Sequence, residues 1–218
     1  MSTNAPVGAI SKSISSELAR SETYWTWLTQ HLHNVSFAKS RRNVFTLAMF
    51  QVAADHQATL VLAVKAVRFA SALALVRPLC EATMMGMWIQ HVATDAVLEA
   101  MANSRFAPPS LDDLVKRLDK QAFFDRPMYR DIEAEIRRMH GFNHGGVLHI
   151  ASRYKGNSVG ANYSDQDVIW ALRTADLFAV LAALETAQII GDAERGQRMY
   201  DEAREWLERG TCARTPEE

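Results

Sequence analysis

Three of the chain's seven histidines, His140, His144 and His149, fall between Arg137 and Arg153, together with Arg138, Asn143 and the glycines Gly141, Gly145 and Gly146. Histidine titrates near neutrality and can pass a proton at physiological pH, while an arginine held beside it stabilises phosphate charge through its planar donors. A helix continuing through Gly141 would put His140 and His144 on one face, with Arg137 about one turn away. The chemistry such a set suits is proton transfer at a phosphate. A structural reading competes with it: at a helix end, basic side chains satisfy the last carbonyls and glycines let helices approach closely.

Arg77 and Glu81 form a second candidate, four residues apart and so on one face of a largely apolar segment. An ion pair buried in a bundle loses its hydration, which stability alone seldom justifies. Glu81 would accept from an imidazole, His144 by preference, while Arg77 would hold an anion. The alternative is a structural clamp beside Pro78. Metal binding is a third candidate, because His140 and His144 have the i, i+4 spacing that brings two imidazoles to one ion. No Glu adjoins His140, and Asp55, His56 and Glu81 would have to converge from elsewhere in the chain, so neither metal nor cofactor is expected.

Helices must position these residues. Ile14, Leu18, Trp25, Leu28 and Leu32 recur at helical steps, and a second helix is expected from Val44 to Val67 behind the opening Ser40-Arg41-Arg42-Asn43. A third runs to about His91, with Pro78 removing one backbone hydrogen bond and kinking it. Asp95 to Met101 reads as a short helix. Ala107-Pro108-Pro109-Ser110 then breaks the chain, with Ser110 and Asp113 as a capping box. Further helices are expected from Pro127 to Met139, from Ser164 with its own capping box at Asp167 through Ile190, and from Ala193 to Leu207. A short alternating stretch from Val147 to Tyr154 is the one hint of a strand. The expected fold is all-α, a single bundle of six to eight helices over residues 13–208, with flexible ends at 1–12 and 209–218.

Composition narrows the classes. The 218 residues are 48% hydrophobic and 22% charged, which is ordinary globular composition, and the net charge of −1 provides no overall attraction to nucleic acid or to an anionic membrane; only local patches could. The longest apolar stretch, Phe69 to His91, contains Arg77 and Glu81, which suits a buried bundle helix better than a membrane span. Only Cys80 and Cys212 are present, one in an apolar run and one in a polar tail, so a reducing, cytoplasmic setting without disulfides is expected.

The Arg and His spacing resembles the Arg-x(4–6)-His pattern of the HEPN superfamily, all-helical proteins many of which are metal-independent ribonucleases. The resemblance implies Arg138 or Arg137 with His144 as catalytic pair, Asn143 as helper, RNA as substrate, a homodimer, and a toxin or defence context. Met139 stands where active members often have a polar residue. Arg77, Glu81, His140 and Arg153 would be binding residues around this pair. A longer stretch, with Leu75 to Ala82, Trp88, Phe142 to Gly146, Arg153 and Asn162-Tyr163-Ser164, resembles an uncharacterised bacterial helical family of unknown function over roughly Phe69 to Ile190. It implies the architecture but no reaction. The alternative to RNA is a non-enzymatic module for self-association or for a partner protein. A pocket between helices lined by Trp88, Arg77 and His144 is a further reading.

Overall fold

The capping and periodicity signals become real helix ends and buried faces. The computed structural model describes residues 10–32, 35–121, 128–143, 147–155 and 157–212. Ser40 accepts from the Asn43 amide at 3.1 Å and opens α2 (Arg41–Lys65), which follows α1 (Lys12–Leu32). Ser110 and Ser164 likewise accept from the amides of Asp113 and Asp167, opening α5 (Leu111–Asp119) and α8 (Asp165–Ile189). Each of these serines also donates to the same acid's carboxylate, so both donor and acceptor capacities are used at the cap.

Between them lie α3 (Phe69–His91), which contains Pro78, and the short α4 (Asp95–Ala102), capped by Thr94. After α5 come α6 (Met128–Gly141), α7 (Val147–Ala151) and a hairpin of β1 (Tyr154–Lys155) with β2 (Ser158–Val159); α9 (Ala193–Cys212) ends the described chain. The all-α bundle is thus found, with nine helices among the described residues rather than six to eight. The alternating stretch from Val147 resolves into the extra helical turn, α7, and then the two-residue strand β1.

The turn from α2 into α3 is set by backbone hydrogen bonds: Arg68 N–H reaches Ala63 O at 2.7 Å and Val67 N–H reaches Val64 O at 2.9 Å. This double closure forces Val67 into the left-handed region, φ 58°, a place usually taken by glycine because a β-branched side chain crowds its own backbone there. α2 and α3 then lie against each other closely enough that a Cβ at Gly86 would enter the Phe50 ring.

Both α2 and α3 are long and apolar enough to cross a membrane by length and composition. α3 is instead enclosed by the bundle, with Leu73, Val76, Leu79, Met84, Met87 and Ile89 all buried.

α8 is the hub, packed against α1, α2, α3 and α9. Its apolar faces bury Val168, Leu172, Ala175, Phe178 and Ala182, and its four acids each tie it to another helix. Asp165 accepts from Ser13 of α1, Asp167 from Arg138 of α6, Asp176 from Ser21 of α1 and Gln57 of α2, and Glu185 meets His91 of α3. Apolar contact between helices tolerates sliding and rotation, whereas these directional contacts select one arrangement.

Candidate functional site

α6 carries its apolar residues Ile132, Ile136 and Met139 inward, and the residues beside that stripe inherit their roles from it. Arg138 lies on its flank facing α8, where Nη2 donates to Asp167 Oδ1 at 2.7 Å and the guanidinium carbon sits 4.3 Å over the Trp170 ring. Trp170 in turn donates through Nε1 to Glu135. Arg138 therefore clamps α6 to the capping box of α8, with its plane and one edge already engaged. Arg137, one residue earlier and about 100° around the helix, points outward and pairs with Glu133 at 2.7 Å on the exposed face. Of the two arginines proposed for catalysis, one has a structural position and the other is solvent-facing.

The imidazole that meets the α3 pair is His140. Arg77 Nε donates to Glu81 Oε1 at 2.8 Å, and Arg77 Nη1 lies 2.7 Å from His140 Nε2 and 2.5 Å from Nδ1. Arginine can only donate, so an imidazole nitrogen is the acceptor. The Arg77–Glu81 pair was expected to be buried; it lies instead at the rim, with the Glu81 side chain 42% exposed and Arg77 14%. The contact with the histidine is made by Arg77, where Glu81 had been expected to make it. His144, the catalytic candidate, lies outside the described residues with Gly145 and Gly146. α6 ends at Gly141, so the helical face proposed to unite His140 with His144 stops one residue after His140. Asn143, half-buried, follows through a turn in which its amide reaches His140 O at 3.2 Å.

His149 belongs to an aromatic cluster. Its ring stands edge-on to Phe142 at 5.7 Å between centroids and to Tyr163 at 6.3 Å, with Nδ1 3.3 Å from the Tyr163 hydroxyl. Arg153 joins this group through Tyr163, its guanidinium carbon 5.6 Å from that ring's centroid, and no carboxylate pairs with it among the described residues. The structure therefore brings together Glu81, Arg77 and His140, and separately places His149, Tyr163 and Arg153 in one cluster. Among the described residues no three His, Cys, Asp or Glu side chains converge as metal ligands.

From Ile136 to Ser164, the end of α6 through α7 and the hairpin, there are Arg137, Arg138, Arg153 and Lys155 and none of the chain's 25 Asp and Glu. Arg138 pairs with Asp167 and Arg137 with Glu133, both acids from outside the run, while Arg153 pairs with no carboxylate among the described residues; Val147, Ile150, Tyr154 and Val159 of the same stretch are exposed. The signal was available as a gap in the acids, although a near-zero net charge concealed it.

A second polar centre was missed outright. Asp176 is fully buried at the junction of α1, α2 and α8, accepting from Ser21 Oγ at 2.6 Å and Gln57 Nε2 at 2.9 Å. Burial pushes its carboxyl up to about 7, against the lowering effect of both hydrogen bonds and of Arg20. Gln57 Oε1 is buried beside it without a hydrogen-bond partner among the described residues. A lone acid within the apolar run of α8 was the clue to this centre.

No curated protein and no solved structure shows a significant match to the chain. A family match does cover residues 50–208, taking in most of α2 and everything from α3 to the greater part of α9, and so includes Arg77, Glu81, His140, the acid-free run and Asp176. By that match the chain belongs to the family of unknown function DUF6988.

Proposed function

We propose that this protein binds RNA through the acid-free stretch that runs from the end of α6 through α7 and the hairpin. The observation that carries the reading is the run from Ile136 to Ser164, which holds four Lys and Arg, three His and no carboxylate in a chain whose net charge is −1. Phosphate binding depends on local cation density, because salt screens charges beyond about 10 Å, so a polarised surface can attract a polyanion that the chain's net charge would not. The HEPN resemblance points the same way but rests on the spacing of Arg137 or Arg138 to His144. The engagement of Arg138 by Asp167 and Trp170 favours a binding role over strand cleavage by that arginine.

The test is fluorescence anisotropy with a labelled RNA 20-mer over a salt series. Three phosphate contacts, from Arg153, Lys155 and an Arg137 that exchanges Glu133 for phosphate, predict a slope of log K against log salt of about −2 for a single strand. The variant with all three changed to Glu should lose binding and retain its helical circular dichroism. Wild-type protein that fails to bind in low salt, or a triple variant that binds as wild type does, would refute the reading.

A second reading, self-association, is favoured by one observation. Val147 and Ile150, three residues apart on α7, are 77% and 59% exposed, and Val159 on β2 is 89% exposed. Light scattering of Val147→Ser/Ile150→Ser against wild type distinguishes it: conversion of a wild-type dimer to monomer supports this reading, and a wild type already monomeric at high concentration excludes it.

A further inference from the structure

We infer that Tyr154 is a base-stacking platform that makes this stretch prefer unpaired RNA over duplex, an inference that rests on the RNA reading above. Tyr154 is 53% exposed at the start of a hairpin whose register pairs it with Val159. Residues paired across a ladder project to the same side, so the tyrosine ring and the still more exposed valine form one outward surface. No ring contact engages Tyr154 among the described residues, whereas its neighbour Tyr163 meets Phe69, His149 and Arg153. The two tyrosines of this region thus divide: one is packed and the other is presented.

The presentation is held by backbone. Gly160 N–H donates to Arg153 O at 2.8 Å and Asn162 N–H to Ser152 O at 2.9 Å, tying the chain that leaves β2 to the residues that lead from α7 into β1. A backbone fixed this way leaves only the two side-chain torsions of the tyrosine to be ordered on binding. Arg153 and Lys155 flank it in sequence, and Arg153 is steadied by the Tyr163 ring instead of by a carboxylate, which leaves its donors available to phosphate. Cations that follow a backbone beside an aromatic ring that accepts a base are the two components of single-strand recognition. In an A-form duplex the base faces are covered by their neighbours, so the ring has nothing to stack on and only the phosphate contacts remain.

The experiment uses the full chain and a fluorescein-labelled 15-mer RNA of mixed sequence, alone and annealed to its complement, with wild type, Tyr154→Ala and Tyr154→Phe. Wild type should bind the single strand more tightly than the duplex. Tyr154→Ala should weaken single-strand binding about tenfold, as loss of one stacked base does, while duplex binding and the salt slope stay as in wild type; Tyr154→Phe should retain wild-type affinity. Equal single-strand affinity in wild type and Tyr154→Ala, or an equal loss on strand and duplex, overturns the inference and leaves the RNA reading standing. Wild type that binds neither RNA overturns both. A Tyr154→Ala variant that changes oligomeric state in light scattering assigns the ring to contact between copies and overturns the inference as well.

Discussion

Asp176→Asn should raise the stability of the domain at neutral pH and remove much of its pH dependence. The carboxyl is buried among Ser21 and Tyr24 of α1, Gln57 of α2 and its own helix, with Arg20 and Glu17 of α1 as the nearest charged groups that act on it. Burial raises it from an ordinary 3.8 to about 7, so between those values the folded chain keeps a proton that the unfolded chain has released. The sign follows: this group's contribution is fully present below 3.8, declines as pH rises through the window, and is lost above about 7. Three pH units at about 1.4 kcal/mol each give a total of about 4 kcal/mol.

Asparagine has the same shape and is neutral throughout; its oxygen keeps one of the two accepted hydrogen bonds, and its N–H donates to Ser21 Oγ or, after the Gln57 amide flips, to the Gln57 oxygen, which has no partner among the described residues. Urea unfolding of wild type and Asp176→Asn from pH 5 to pH 8, followed by tryptophan fluorescence, measures the difference. The variant should gain about 1.4 kcal/mol on wild type per pH unit up to about pH 7, then hold a constant advantage. Other titrating groups cancel in the comparison. Parallel stability profiles for the two proteins would refute the reasoning, since they would mean that Asp176 titrates alike folded and unfolded.

Val67→Gly should stabilise the chain by about 1 kcal/mol in thermal or urea unfolding, because Val67 holds φ 58° at the end of α2 where glycine is unstrained; a loss of stability would show that its side-chain packing outweighs the backbone term. Arg138→Ala should lower stability by about 1–2 kcal/mol through loss of the Asp167 pair and the Trp170 stack while leaving RNA affinity within about twofold, the reverse of the pattern expected for Arg153→Glu. Unfolding and anisotropy on the same two variants check this, and a folded Arg138→Ala protein with abolished RNA binding would return Arg138 to the site.

What could be read from the chain directly was whatever depends on residues three or four apart. Ser40, Ser110 and Ser164 open helices because a hydroxyl and an amide three residues on are brought together by the first helical turn itself. The pairing of Arg77 with Glu81 is equally local. The bundle class follows from the same source, since period-3.6 apolar stripes require other helices to cover them. Membership of an uncharacterised helical family was legible as well, because it rests on the run of residues themselves.

The candidate site was legible only as a region. Arg137 and Arg138 are adjacent and chemically identical, and only the seating of α6 on α8 decides that Arg138 meets Asp167, 29 residues on, while Arg137 faces water. Which histidine reaches Arg77 depends on where α6 stops, and a helix ending at Gly141 leaves His140 as the partner across a separation of 63 residues. Asp176 has partners 119 and 155 residues away, so the apolar run around it hints that the acid is buried but does not say which residues satisfy it. The polar segment from Arg137 to Arg153 was visible from its composition. Its division into a clamp at Arg138, a rim contact at His140 and an aromatic cluster at His149 required the packed helices, because contacts between distant residues depend on how whole faces dock, and local spacing carries no record of that.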